Sequence, residues 1–198
     1  MIQHDTHARD SWHMDAELWV RGRNSIAFIA LVSWIATIAG YFLAPERCFE
    51  SYLTGYLFNV FIPLGAMFFI MTMYLTGSAW SVPMRRVAEN IMAAIPVGLL
   101  LFVPIWFGIP HLYHWSHTAD VLKDPLLKAK MAYLNTNGFT IRTIVYFAIW
   151  SLFALRIYQQ STKQDSTKSV AQMHTISRWC APGLLILFLT VTLASFDW

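Results

Sequence analysis

The fold of this chain is decided by residues 52–75, which read YLTGYLFNVFIPLGAMFFIMTMYL and contain no Asp, Glu, Lys or Arg. A hydrocarbon core about 30 Å thick is crossed by ~20 apolar residues at 1.5 Å of rise each, so this run predicts a transmembrane helix. Four further runs have the same apolar character, and they cover residues 25–43, 91–109, 139–157 and 179–196. The sequence therefore predicts an all-α, polytopic transmembrane helical bundle with five spans.

The composition of the chain excludes most other classes of protein. Of its 198 residues, 57% are hydrophobic and 13% are charged, whereas soluble domains contain about 25% charged residues. A water-soluble fold, a disordered chain and a coiled coil are all incompatible with these values. The net charge of +3 comes from cations dispersed over the connections, so we expect lipid and not nucleic acid as a partner.

The connections between the runs predict the orientation in the membrane, because Lys and Arg are usually in excess on the cytoplasmic side. With five crossings, the N-terminal tail and the second and fourth connections share one side and hold most of the 14 Lys and Arg residues. We therefore expect residues 1–24 to form a cytoplasmic tail and residues 25–198 to form the transmembrane domain. Arg142 and Arg156, near the two ends of the fourth run, are expected to reach the head groups.

Several kinds of reactive centre are absent from the sequence. Membrane-bound haem b is usually held by His residues of the spans, yet all seven His residues lie outside the five runs. The chain also lacks a covalent haem motif, a Cys quartet, a phosphate-binding loop and a nucleophile elbow. Cys48 and Cys180 are predicted on opposite sides of the membrane, too far apart for a disulfide. We expect no catalytic centre and no cofactor in this chain.

A cluster of histidines follows the third run directly. It comprises His111, His114 and His117, with Tyr113 among them. On a helix, this spacing places successive imidazoles within reach of one metal ion. The same imidazoles could accept protons at the membrane surface, since they titrate near neutral pH. A third interpretation is a turn whose amphipathic rings anchor in the head groups.

Glu89 is the second candidate, at the inner end of the third run. Arg85 and Arg86 precede it by four and three residues, which is the spacing of ion pairs on a helix. It is either half of a structural ion pair or an entry carboxylate for protons. Tyr74 near the inner end of the second run could extend a hydrogen-bonded path, and Asp197 lies at the outer end of the last run.

Three short stretches carry a resemblance to a known family. They are AWSVPMRRVAE at residues 79–89, FVPI at residues 102–105 and GIPHLYHWSH at residues 108–117. Together they resemble the ActF-type membrane subunit of alternative complex III, a bacterial quinol:cytochrome c oxidoreductase. That family has two helical bundles akin to NrfD-like subunits, so the resemblance implies that this chain is the N-terminal half of such a subunit.

The resemblance also implies a role in the bacterial inner membrane. The subunit would be a cofactor-free, non-catalytic scaffold and a proton-conducting module of a respiratory complex. Haem c and iron–sulfur clusters would belong to partners: a multihaem cytochrome, an iron–sulfur subunit, a second NrfD-like subunit and a terminal oxidase. The residues expected on the proton path are Glu89, Tyr74, His111, Tyr113, His114, His117 and Asp197, with Arg85 and Arg86 as charge partners of Glu89.

Two alternatives stay open at the level of the sequence. A secondary transporter would place a substrate site where prolines kink the second and third spans, at Pro63, Pro96 and Pro104. A purely structural assembly subunit would need Glu89 and His111 only for stability.

Overall fold

A computed structural model describes residues 16–78, 82–116, 125–131, 133–167 and 170–198. These residues form helices and short connections, and no strand occurs among them, which confirms the all-α prediction. The helices are α1 (Ala16–Leu43), α2 (Pro45–Thr76), α3 (Val82–Met92), α4 (Ile95–Leu101), α5 (Val103–Leu112), α6 (Pro125–Lys130), α7 (Thr136–Thr167) and α8 (Val170–Asp197). A short 3-10 turn, His114–Ser116, follows α5.

Four of these helices are long and apolar enough to cross a membrane, namely α1, α2, α7 and α8. The predicted third span is not one straight helix. It is divided over α3, α4 and α5, and the part from Met84 to Leu101 meets α5 at an angle of 52°. Counting this bent pair as one crossing gives up to five candidate spans, a number of long apolar helices that is typical of a multi-pass membrane protein. Helix α1 begins at Ala16, inside the stretch that the sequence assigned to the tail.

The breaks in the third span follow from its prolines. Pro96 and Pro104 lie in the first turns of α4 and α5, where a missing backbone N–H costs least. Near the second break, the hydroxyl of Tyr52 donates a hydrogen bond of 2.8 Å to the backbone carbonyl of Leu101. A carbonyl in lipid needs such a partner, since no water is available to it. Pro63, in contrast, lies within the continuous helix α2.

The chain divides into two units, residues 1–48 and residues 49–198. In the first unit, none of the apolar stretch of α1 is buried. The second unit holds the hydrophobic core, which α2, α4, α7 and α8 build from large side chains such as Trp150, Phe147 and Met67.

Helix α3 has an unusual distribution of charged and apolar residues. Two of its large apolar side chains, Met84 and Val87, are 59% and 62% exposed. Its acidic residue Glu89 is completely buried, while its arginines are partly exposed. A helix at the surface of a soluble protein has the opposite arrangement, with charges outside and apolar residues inside. Exposed apolar side chains together with a buried acid are the arrangement expected of a helix that faces lipid.

Candidate functional site

The first group of functional side chains lies where α2, α3 and α7 meet at one end of the second unit. We call it the Glu89 cluster, and it consists of Tyr74, Arg85, Arg86, Glu89 and Ser161. Tyr74 comes from the last turns of α2, and Ser161 from the second half of α7. The two arginines and Glu89 share α3, so the helical spacing that the sequence showed brings them together.

Glu89 is the centre of this cluster. Ser161 donates a hydrogen bond of 2.6 Å to its Oε1 atom, and Tyr74 donates one of 3.3 Å to the same atom. Arg86 binds Oε2 at 2.6 Å and reaches the backbone carbonyl of Ser161 at 3.1 Å. The Nε atom of Arg85 lies 3.6 Å from Oε1. The prediction that both arginines pair with Glu89 is confirmed, and the contact with Tyr74 joins two predicted site residues.

The charges of the Glu89 cluster explain how it can be buried. The side chain of Glu89 is 0% exposed, while those of Arg85 and Arg86 are 19% and 33% exposed. A lone buried carboxylate is strongly unfavourable, and opposite charges and hydrogen bonds offset the cost of its desolvation. Here two guanidinium groups and two hydroxyls surround one carboxylate. These groups offset the burial of the Glu89 carboxyl group, while the arginines still reach the surface of the protein.

A second group lies near the start of α7 and the end of α8, away from the Glu89 cluster. We call it the Asp197 cluster, and it consists of Tyr133, Arg142, Tyr146 and Asp197. Arg142 binds both carboxylate oxygens of Asp197, with the shortest distances 2.7 and 2.9 Å, and Tyr146 donates a hydrogen bond of 3.0 Å. The guanidinium also lies 3.8 Å above the ring of Tyr133 and binds its backbone carbonyl. The side chain of Asp197 is 1% exposed.

The sequence placed Arg142 among the head groups, and the structure turns it inward onto Asp197. This ion pair was not predicted from the sequence. The missed signal is the pairing of α7 with α8. In an antiparallel helix pair, a residue near the start of one helix lies level with a residue at the end of the other. Arg142 and Asp197 have these positions, and their charges are opposite.

Tyr113 lies close enough to the Asp197 cluster to sense its charge. Burial raises the pKa of Tyr113 to about 12, and the negative charge of Asp197 contributes in the same direction. Both effects disfavour a second negative charge in the same place. Tyr113 therefore stays protonated over the physiological pH range and is available as a hydrogen-bond donor.

The two clusters are separated by an apolar stretch of α7. Along α7 from Ser161 of the Glu89 cluster towards the Asp197 cluster, the next buried side chain with a polar atom is Trp150, which donates a hydrogen bond of 2.8 Å to Thr190. Ser161 and Trp150 are about 16 Å apart along the helix axis. The buried residues of α7 between them, Phe153, Ala154 and Ile157, have no polar side-chain atom. Within the described residues, side chains alone do not connect one cluster with the other.

The histidines occupy a different place. His111 lies in the last turn of α5, is exposed, and stacks on Phe49 with ring centroids 5.5 Å apart. His114 is exposed in the 3-10 turn, and His117 lies outside the described residues. In the described ranges, no three His, Cys, Asp or Glu residues form a group that could hold a metal ion. Cys48 and Cys180 are both free thiols.

Comparison with known proteins gives no family for this chain. No protein-family model matches it, and no curated protein matches its sequence. Inferences about its function therefore rest on the two clusters and on the apolar helices that carry them.

Proposed function

We propose that this chain is a membrane subunit of a bacterial respiratory quinol:electron-acceptor oxidoreductase of the alternative complex III type. It lies in the inner membrane with its N-terminus in the cytoplasm. It holds partner subunits, which are a multihaem cytochrome, an iron–sulfur subunit, a second NrfD-like subunit and a terminal oxidase. The observation that carries the proposal is the fully buried Glu89, which hydroxyl and guanidinium groups surround in a lipid-embedded bundle.

The energetic cost of Glu89 favours a functional role. Burial of a carboxylate costs free energy even where it is paired, and an inert scaffold could avoid this cost with an apolar residue. Acidic residues inside membrane proteins usually serve the movement of protons or ions. The Glu89 cluster adds two hydroxyls, which can both donate and accept hydrogen bonds.

Glu89 would accept a proton from the nearer side of the membrane, with Ser161 and Tyr74 as the hydroxyls beside it. The route towards His111, Tyr113, His114, His117 and Asp197 that the sequence suggests then requires water to bridge the apolar stretch of α7. Arg85 and Arg86 would hold Glu89 in position. The chain would thus supply proton-accepting groups, and its partners would supply the electron carriers.

The test is Glu89→Gln in the assembled complex, with proton uptake measured after a pulse of quinol. We expect a large loss of uptake with unchanged subunit composition, because the amide keeps the shape but cannot take up a proton. Glu50→Gln is the matched control, since Glu50 is an exposed acid on α2 outside both clusters. Normal uptake with normal assembly would leave only the scaffold role.

A transporter-like function is the second candidate, and one observation favours it. A groove of about 290 Å³ lies where the third span is broken, and Asn59, Pro63, Ala94 and Gly98 are among its lining residues. Broken helices at mid-membrane are typical of substrate sites in secondary transporters. Co-purification separates the candidates: multihaem and iron–sulfur subunits would accompany a respiratory subunit, whereas a transporter would be recovered alone.

A further inference from the structure

Four buried polar atoms near the Asp197 cluster have no hydrogen-bond partner among the described residues. They are the hydroxyl oxygens of Tyr56, Tyr113 and Thr143 and the indole nitrogen of Trp198. Tyr56 is 3% exposed and Thr143 is 0% exposed. Buried polar atoms in native proteins are nearly always paired with protein or with ordered water, so four exceptions in one region require an explanation.

Aromatic contacts join three of these residues. The ring of Tyr56 lies 5.5 Å from that of Trp198 and 6.1 Å from that of Phe102. Phe102 contacts Phe139 at 5.7 Å, and Phe139 contacts Tyr113 at 5.3 Å. The rings therefore form one continuous chain of contacts from Trp198 through Tyr56 to Tyr113.

Thr143 lies one turn after Phe139 on α7, and the i, i+4 spacing places both buried residues on one face of that helix. Threonines of membrane helices commonly bind the carbonyl four residues before them. Thr140, three residues earlier on the same helix, does so with Thr136 at 2.8 Å. Thr143 makes no such bond. Its hydroxyl is thus kept available for another partner. We call the region between Tyr56, Tyr113, Thr143 and Trp198 the polar compartment.

The hydrogen-bonding groups of the polar compartment indicate which kind of ligand it can bind. Three hydroxyls can donate and accept, and the indole N–H can only donate. An anion would need a net positive charge, but Arg142 is already neutralised by Asp197. A metal ion would need carboxylates, imidazoles or thiolates, and the four residues offer none. Water both donates and accepts, and a buried water molecule makes two to four hydrogen bonds.

We infer that ordered water molecules occupy the polar compartment and pair with Tyr56, Tyr113, Thr143 and Trp198. The compartment adjoins Asp197, whose charge acts on Tyr113. It is therefore a protein-bound pool of water inside the membrane-embedded unit. This inference does not depend on the proposed function, because it follows from the unpaired atoms alone.

Hydroxyl-radical footprinting of the full-length protein in its native membrane tests the inference directly. An X-ray pulse makes radicals from water in place, so a buried side chain is labelled only where water touches it. We expect labelling of Tyr56, which is 3% exposed. Met67 and Met71 are both 0% exposed and readily oxidised, and they serve as dry internal controls. Labelling of Tyr56 no stronger than that of Met67 would overturn the inference.

Removal of single hydroxyl groups gives a second test, in which the direction of the change in Tm distinguishes paired from unpaired hydroxyls. Tyr56→Phe and Thr143→Val keep the shape of each side chain, and each should lower the Tm by about 2–4 °C if it removes a hydrogen bond to water. Thr192→Val is the control, because this exposed hydroxyl binds only the carbonyl of Phe188 in its own helix. A rise in Tm for Tyr56→Phe and Thr143→Val would show that the hydroxyls are unpaired, and it would refute the inference.

Discussion

Replacement of Arg142 by Leu should strongly destabilise the protein. Arg142 supplies three hydrogen bonds to Asp197, whose side chain is 1% exposed, and without Arg142 no cation would pair with this carboxylate among the described contacts. Removal of one partner from a buried ion pair costs about 3–5 kcal/mol, because the other charge stays buried without compensation. For a chain of this size, about 1 kcal/mol corresponds to ~2–4 °C in Tm. We therefore expect a fall in Tm of roughly 6–20 °C.

The assay is thermal unfolding of the purified protein in lipid nanodiscs, followed by the fraction that stays monodisperse after heating. Arg156→Leu is the matched control, since Arg156 lies on the same helix, is exposed, and only approaches the Trp179 ring at 6.0 Å. Its loss should cost less than about 1 kcal/mol. The double variant with Arg142→Leu and Asp197→Leu should recover most of the stability, because it leaves no buried charge. Equal Tm values for Arg142→Leu and Arg156→Leu would refute the reasoning.

Three further predictions concern packing, the helix break and alkaline pH. Gly98→Ala should destabilise the protein by about 1–3 kcal/mol, because a Cβ atom there would lie 2.6 Å from the Phe147 ring. Gly65→Ala is the control, since its Cβ atom would meet no atom within 4 Å and the change should be tolerated. Thermal unfolding compares the two variants. Tyr52→Phe removes the hydrogen bond to the carbonyl at the break and should cost about 1 kcal/mol, and a smaller loss than for Gly98→Ala is expected in the same assay. The pKa of Tyr113 is raised to about 12 in the folded state. The contribution of the protonated Tyr113 to stability is therefore complete below pH ~10 and is lost as the pH rises towards 12. Tyr113→Phe should show a smaller loss of Tm than the unmodified protein over that range, and equal losses would contradict the prediction.

The spacing of charged residues in the sequence was sufficient to predict the ion pairs of the Glu89 cluster. Arg85 and Arg86 precede Glu89 by four and three residues, so any helix through this stretch places them together. The hydrogen bonds from hydroxyl groups to Glu89 were not predictable in the same way. Ser161 reaches Glu89 only because α7 packs beside α3, and the sequence separation of these residues contains no information about that contact.

The amino-acid sequence by itself determined the class of fold, because an apolar run of sufficient length must form a helix in lipid, where backbone groups have no other partner. It also indicated where the third span could break, through Pro96 and Pro104. Tertiary structure decided which polar side chains turn inward. Arg142 and Arg156 look equivalent in the sequence, yet Arg142 pairs with a buried Asp197 and Arg156 is exposed. The physical reason is that lipid and the protein core are both apolar, so the contrast between polar and apolar faces that marks the buried side of a soluble helix is missing here.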